Sequence, residues 1–247
     1  MLGMPKESSA DVLGVFDAEL LLLSQLSSPN VVKIFGAAVS PVQLIIVSEF
    51  VEGGTLRDQL ENVRRGPDFW IHNRKSIAQD VAAGMRSVYA HGMQHRRLTS
   101  TSVLLTHSWR AKISGLGFLM TKEMVARAHQ QDEDEEKEDA KTAYQALWVS
   151  REVLGGAGFA ESSDVYSFGI VLWEIVQGDG SLPFTGLSPT EVASAKYHGQ
   201  GPVIPKGCPR DLESLMTRCW STTPEQRPSF EHICDELDPA PAERILL

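Results

Sequence analysis

The stretch SSDVYSFGIVLWEIV, residues 162–176, decides the fold. Val165, Phe168, Ile170, Val171, Leu172, Trp173, Ile175 and Val176 leave it almost no polar face. A helix that is apolar nearly all round lies inside a protein or a membrane. This run is shorter than the ~20 residues a bilayer needs, and Asp164 and Glu174 interrupt it. The pattern predicts a buried central helix over Ser163–Val176. Ser162 or Ser163 is the expected cap, because a hydroxyl there accepts from an unpaired backbone N–H. Asp164 then stands at a helix start, where the dipole favours a carboxylate. A buried carboxylate needs hydrogen-bond donors, so this helix is expected to hold something in place.

The rest of the composition sets bounds. The 247 residues, 42% of them hydrophobic, suffice for one large domain or two lobes. Cys208, Cys219 and Cys234 show no metal-ligand spacing and predict a reduced cytosolic or nuclear setting, of which the cytoplasmic one is expected. No apolar run is long enough for a membrane segment, and residues 1–16 lack the pattern of a leader. The net charge of −9 argues against a nucleic-acid-binding surface. Most of that charge lies in Asp132–Asp139, which holds seven acids and one lysine.

Along the chain, Asp11–Leu26 carries a broad apolar stripe and predicts a helix, stopped by Ser27-Ser-Pro-Asn30. Val31–Gly36 and Gln43–Phe50 read as strands around a turn at Ser40–Pro41, and Gly53–Gly54 as a joint. Thr55–Asn62 restarts as a helix capped by Thr55, and Trp70–His91 is a long amphipathic helix ending at Gly92. Val103–Leu105 and Ala111–Ser114 are short strands. Helices follow at Ser188–Lys196, Asp211–Trp220 and Ser229–Leu237. A small strand-bearing front and a large helical back point to two lobes joined at Glu52–Gly54.

These pieces together resemble the protein kinase family, and its tyrosine-kinase-like group in particular. Asp164-Val-Tyr-Ser-Phe-Gly169 looks like the family's central-helix motif. Ser28-Pro-Asn-Val-Val32 resembles the turn after its small-lobe helix, and Val47-Ser-Glu-Phe-Val-Glu-Gly-Gly54 its hinge. Trp148-Val-Ser-Arg-Glu-Val-Leu154 resembles the end of its activation segment, and Cys219-Trp220 with Pro224-Glu-Gln-Arg-Pro228 its C-terminal signature. Each is weak alone; in this order, over about Phe16 to Leu237, they are specific. The fold implied is α+β: a protein kinase fold with a partial N-lobe (one helix and two or more strands) and a mainly helical C-lobe. The corresponding boundaries are a flexible 1–10, the partial N-lobe 11–52, the C-lobe 53–237 with an acidic insert at 129–141, and a tail at 238–247.

By this resemblance Asp164 holds the backbone of the catalytic loop, and Glu152 pairs with Arg227 beside Trp220. Leu23, Ile34, Leu116 and His95 match the family's stacked spine. His95 is expected to be a packed, hydrogen-bonded core histidine and not a base. Leu104 and Ser48 match positions under and beside the adenine, and Glu19 matches the partner of the phosphate-binding lysine.

The chemistry of phosphoryl transfer is what the resemblance does not carry over. That reaction needs a carboxylate for the hydroxyl proton, oxygen ligands for Mg²⁺, a lysine on the phosphates and a covering glycine-rich loop. The loop His95-Arg-Arg-Leu-Thr-Ser-Thr-Ser102 has Arg97 in place of the aspartate, Thr99 in place of the lysine and Ser102 in place of the asparagine. A guanidinium has no acceptor for a proton. The metal motif reads Gly115-Leu-Gly117, and glycine offers no side-chain oxygen to a hard cation. Near Met1 stands Lys6 in a turn-like setting, with no glycine-rich loop upstream, so the first small-lobe strands are expected to be missing from this chain. ATP becomes an expected cofactor only if an upstream N-lobe exists; otherwise none is expected.

Three readings follow. The first is a catalytically inactive module, a pseudokinase, binding a protein partner such as another kinase or a scaffold. The second is an active or weakly active serine/threonine or tyrosine protein kinase. The third is a degenerate product with no stable fold. The acidic run reads either as a solvated insert or as a mimic of activation-loop phosphates facing Arg96 and Arg97. Gln145 and Arg151 replace a threonine and a proline of the peptide-docking segment, which weakens it as a substrate platform. The apolar face of Asp11–Leu26 (Val15, Leu22, Leu26) is expected to be exposed or partner-bound.

Overall fold

Helical residues 20–25 open the part of the chain that the computed structural model describes: residues 20–39, 44–62, 67–116, 144 and 146–238. Two antiparallel strands follow, β1 (Ile34–Val39) and β2 (Leu44–Ser48), with a bulge between Ile34 and Gly36. Next come α1 (Leu56–Leu60), α2 (Pro67–Ala90) and a second antiparallel pair, β3 (Val103–Leu105) and β4 (Ala111–Ile113). The helical back consists of α3 (Arg151–Leu154), α4 (Glu161–Gln177), α5 (Pro189–Tyr197), α6 (Arg210–Cys219) and α7 (Phe230–Leu237). The expected α+β division into a small strand-bearing front and a helical back is what the chain adopts.

α4 is the centre of the core. Every residue from Ser163 to Val176 is buried, as an all-round apolar helix requires. Phe168 of α4 meets Phe230 of α7 edge to face at 5.8 Å, and Phe230 stacks on Tyr89 of α2 at 5.6 Å. On another side α6 comes close because residue 169 is glycine: a Cβ there would stand 2.7 Å from Cys219 Cβ.

The boundaries differ from the expected ones for local reasons. α4 begins at Glu161, after Ala160, so Ser163 is not the cap. Its Oγ instead accepts the Ala160 N–H from within the first turn, at 3.3 Å. α2 begins at Pro67, a residue suited to the first helical position. Ser188 and Ser229 precede their helices as caps, each hydroxyl accepting an N–H one turn on, from Glu191 and His232. Thr55 caps α1 as expected, and Asp58 completes a reciprocal pair with it.

The first strand was expected at Val31–Gly36, but Asn30 to Val32 pair elsewhere. The Ile113 N–H donates to Asn30 O, the Val32 N–H donates to Ile113 O, both at 2.8 Å, and Asn30 Nδ2 donates to Ala111 O at 3.1 Å. This short segment pins the front of the molecule to β4. An apolar run does not reveal which ladder it joins. Leu26 is buried in the core, not exposed as expected, whereas Leu22 is 40% exposed. Val15, Glu19, the Ser40–Pro41 turn, Gly117, the acidic insert, Gln145 and the tail after Asp238 lie outside the described residues. Among the described residues, no helix is long and apolar enough to cross a membrane.

Candidate functional site

The loop from His95 to Ser102 lies between the end of α2 and β3, and its shape is set by one buried carboxylate. Asp164 Oδ2 accepts the backbone N–H of His95 at 2.8 Å and the Tyr89 hydroxyl at 2.7 Å, while Oδ1 accepts the N–H of Arg96 at 2.8 Å. Burial, and then the Asp164 charge, push the Tyr89 hydroxyl well above its ordinary range. Arg96 has φ +66°, the left-handed region, which costs a residue with a Cβ roughly 1–2 kcal/mol. The two N–H bonds to Asp164, one of them its own, hold that conformation.

His95 is buried with both ring nitrogens engaged. Nε2 lies 3.0 Å from Ser114 O and so carries the proton, and Nδ1 accepts the Arg97 N–H at 3.3 Å. Burial lowers its pKa, opposed by Asp164, and favours the neutral ring. Leu23 and Leu116 are buried in the same core, and Ile34 packs against it.

Arg97 is exposed. The Ser102 hydroxyl is tied within its own turn: it accepts the Thr99 N–H at 3.0 Å and donates to Thr99 O at 2.9 Å. Gly115 has φ +75°, and a Cβ there would stand 3.9 Å from Ser102 Cβ, so the fold brings these two positions side by side. Leu104 is half-buried on β3, and Ser48 is exposed at the end of β2. Two other carboxylates near in sequence are committed. Asp80 takes Arg110 through both oxygens at 2.8 and 2.6 Å, and Asp58 serves the α1 cap. Among the described residues, no cluster of three or more histidines, cysteines or acids is placed to hold a metal ion.

Arg227 closes on Glu152 at 2.6 and 3.0 Å and also donates to Ser162 O and Ser221 O. Burial raises the Glu152 carboxyl, but hydrogen bonds led by that from Arg227 outweigh it and hold the group below its ordinary range. Trp220 is buried nearby in sequence, at the end of α6.

A second buried carboxylate was not singled out in the sequence as part of a site. Glu174 accepts from Ser100 Oγ at 2.8 Å, Trp148 Nε1 at 2.8 Å and Arg57 Nη1 at 3.3 Å. Arg57 also holds Glu61 and Gly180 O. Glu174 thus joins the His95–Ser102 loop, α1 and the segment before α3. Burial raises its carboxyl to about 7, against the pull of these bonds. Its signal was present, since an acid in an otherwise apolar helix needs partners. Nothing in the spacing named Ser100, Trp148 or Arg57 as those partners.

A two-part α+β body, a carboxylate of the central helix tethering a His-Arg loop, and a Glu152–Arg227 ion pair ahead of that helix define a protein kinase domain. The chain belongs to the protein tyrosine and serine/threonine kinase family, whose model matches residues 4–237. It is 33% identical over 231 residues to a protein of Dictyostelium discoideum named as a probable serine/threonine-protein kinase, covering 93% of this chain and 24% of that one. It is 31% identical to the serine/threonine/tyrosine-protein kinase HT1 of Arabidopsis thaliana, over 94% of this chain and 56% of that one. It is 32% identical to the human mitogen-activated protein kinase kinase kinase 7, over 88% of this chain and 34% of that one. The chain therefore spans about a quarter to just over half the length of these relatives.

Proposed function

We propose that this chain is a kinase-fold module that binds a protein partner, another kinase or a scaffold, without transferring phosphate. The observation that carries this reading is Arg97 at the proton-accepting position of a loop whose backbone anchor, Asp164, is in place. A general base is typically worth ~10²–10⁴-fold in rate, and a guanidinium does not supply one. The residues at the Mg²⁺ positions fit the ion poorly: Gly115 has no side-chain oxygen, and Ser102 offers a neutral hydroxyl already engaged with Thr99 where the ion favours carboxylates. Asp80 and Asp58 are committed elsewhere. The faces proposed for a partner are residues 11–26, the acidic run 129–141 and the helices after Gly186. The acidic run supplies constitutive charge where related loops use phosphate. A cytoplasmic setting belongs to the same proposal.

The second reading, an active serine/threonine protein kinase, is favoured by the names of the relatives, which are kinases. The test is transfer of radiolabelled phosphate from ATP with Mg²⁺ or Mn²⁺ to the chain itself and to a generic protein substrate. The first reading expects no transfer above a no-protein control. Transfer that is lost when Ser48 and Leu104 are replaced by bulky residues establishes the second.

A further inference from the structure

Four successive carbonyls, those of Ala146 to Val149, are all claimed by side chains from the helical layer beneath them. Lys196 Nζ donates to Ala146 O at 2.7 Å, Leu147 O at 2.9 Å and Val149 O at 2.6 Å. Ser167 Oγ of α4 donates to the remaining one, Trp148 O, at 2.8 Å. An ammonium has three N–H donors, and here each has a carbonyl. Lys196 is 3% exposed, with Nζ 4.9 Å from the ring centre of Tyr166 and 5.4 Å from that of Phe184. The carboxylate that acts on it electrostatically, Glu152, has both oxygens occupied by Arg227.

This placement is unusual for its position. A lysine in the last turn of a short surface helix ordinarily reaches into solvent and favours the helix dipole from there. Lys196 is instead drawn into a cage of carbonyls and ring faces, as a bound cation would be. Burial of so polar a group is costly unless its partners are complete, and removing the amine would leave Leu147 O and Val149 O without this donor and Ala146 O with only the Val149 N–H at 3.4 Å.

We propose that Lys196 is a latch that fixes Ala146–Val149 in one shape from beneath, independently of residues 129–139. The segment leads into α3 and the Glu152–Arg227 pair, and its Trp148 side chain reaches Glu174 under the catalytic-loop region. The latch therefore makes this wall of the site preformed. It does so whether or not the domain transfers phosphate, and its test does not depend on that outcome.

The experiment is hydrogen–deuterium exchange on the full chain, comparing it with Lys196→Met, which keeps the length and loses the donors. Protection at residues 147–150 is expected to fall by about tenfold or more, while the centre of α4, residues 168–173, changes by less than about threefold. No change at 147–150, or an equal fall throughout, overturns the proposal, the second result marking Lys196 as a general stabiliser. Deletion of residues 129–139 provides a measurement that does not rely on that variant folding. Protection at 147–150 should then stay within about threefold of the parent chain; a tenfold loss would place the hold in the preceding segment and overturn the latch.

Discussion

Asp164 holds two successive backbone N–H groups, those of His95 and Arg96, one on each carboxylate oxygen at 2.8 Å. The Tyr89 hydroxyl completes the set. Asp164→Asn presents one N–H face to donors that need an acceptor. It should cost about 2–4 kcal/mol, the range for breaking a buried charged hydrogen-bond cluster. For a chain of this size that is a melting point lower by roughly 4–16 °C. Exchange at residues 95–97 should accelerate more than the global loss explains. A melting point within 1 or 2 °C of the parent, on the order of the scatter between ordinary surface variants, would contradict the tether.

The Glu152–Arg227 pair allows a cleaner partition. Arg227→Met leaves Glu152 without its partner and frees Ser162 O and Ser221 O, and should cost about 3–5 kcal/mol. Glu152→Gln should cost less, since Arg227 keeps its carbonyls. The double variant should be more stable than the sum of the two losses by roughly 1–3 kcal/mol in a urea-denaturation cycle. Strict additivity would mean that the two side chains are not coupled.

One buried group gives the stability curve a predictable slope below neutrality. Glu174 titrates at about 7 in the folded chain against an ordinary 4.5, because burial disfavours its charge. The folded state thus binds more protons between these values. The stability Glu174 contributes is full below about 4.5 and is lost as pH rises to about 7. The effect is on the order of a few kcal/mol. Urea midpoints measured across pH should show Glu174→Gln flattening this slope. If the variant keeps the parent's slope in that window, Glu174 does not titrate as described.

The sequence disclosed the frame because the frame is written in residues with few alternatives. An all-round apolar helix has to be central, and Asp164 at its start has to hold donors. Ser28-Pro-Asn30 and Pro224–Pro228 mark turns that few other folds need in that order. Boundaries slipped where two local solutions have similar energy, as with Ser163, which accepts from Ala160 without being the cap. The Glu174 cluster and the Lys196 cage were hidden for another reason. Their partners are 26 to 117 residues away for Glu174 and 47 to 50 for Lys196, and half of those partners are backbone carbonyls, which carry no sequence signature. A lysine at a helix end looks like any solvated lysine until the chain above it is placed.

The positions of Arg97, Ser102 and Gly115 make the proposed absence of phosphate transfer open to reversal. Gly115 and Ser102 are neighbours, and a Cβ on residue 115 meets only that of Ser102, in ordinary contact. Gly115→Asp therefore fits sterically, but φ is +75°, where a residue other than glycine is strained by roughly 1–2 kcal/mol. Asparagine and aspartate tolerate that region better than most. Ser102→Asn gives up the turn that the hydroxyl makes with Thr99, at a further ~1 kcal/mol. Arg97 is exposed and Arg97→Asp should be nearly neutral for folding. The triple variant should melt roughly 4–12 °C below the parent. It should also bind Mn²⁺ in the presence of ATP more tightly than the parent by at least about tenfold, followed by the paramagnetic signal of free Mn²⁺. If the parent chain already binds Mn²⁺ with ATP as tightly as the triple variant, its metal site is built from other residues and the inactive reading loses its basis.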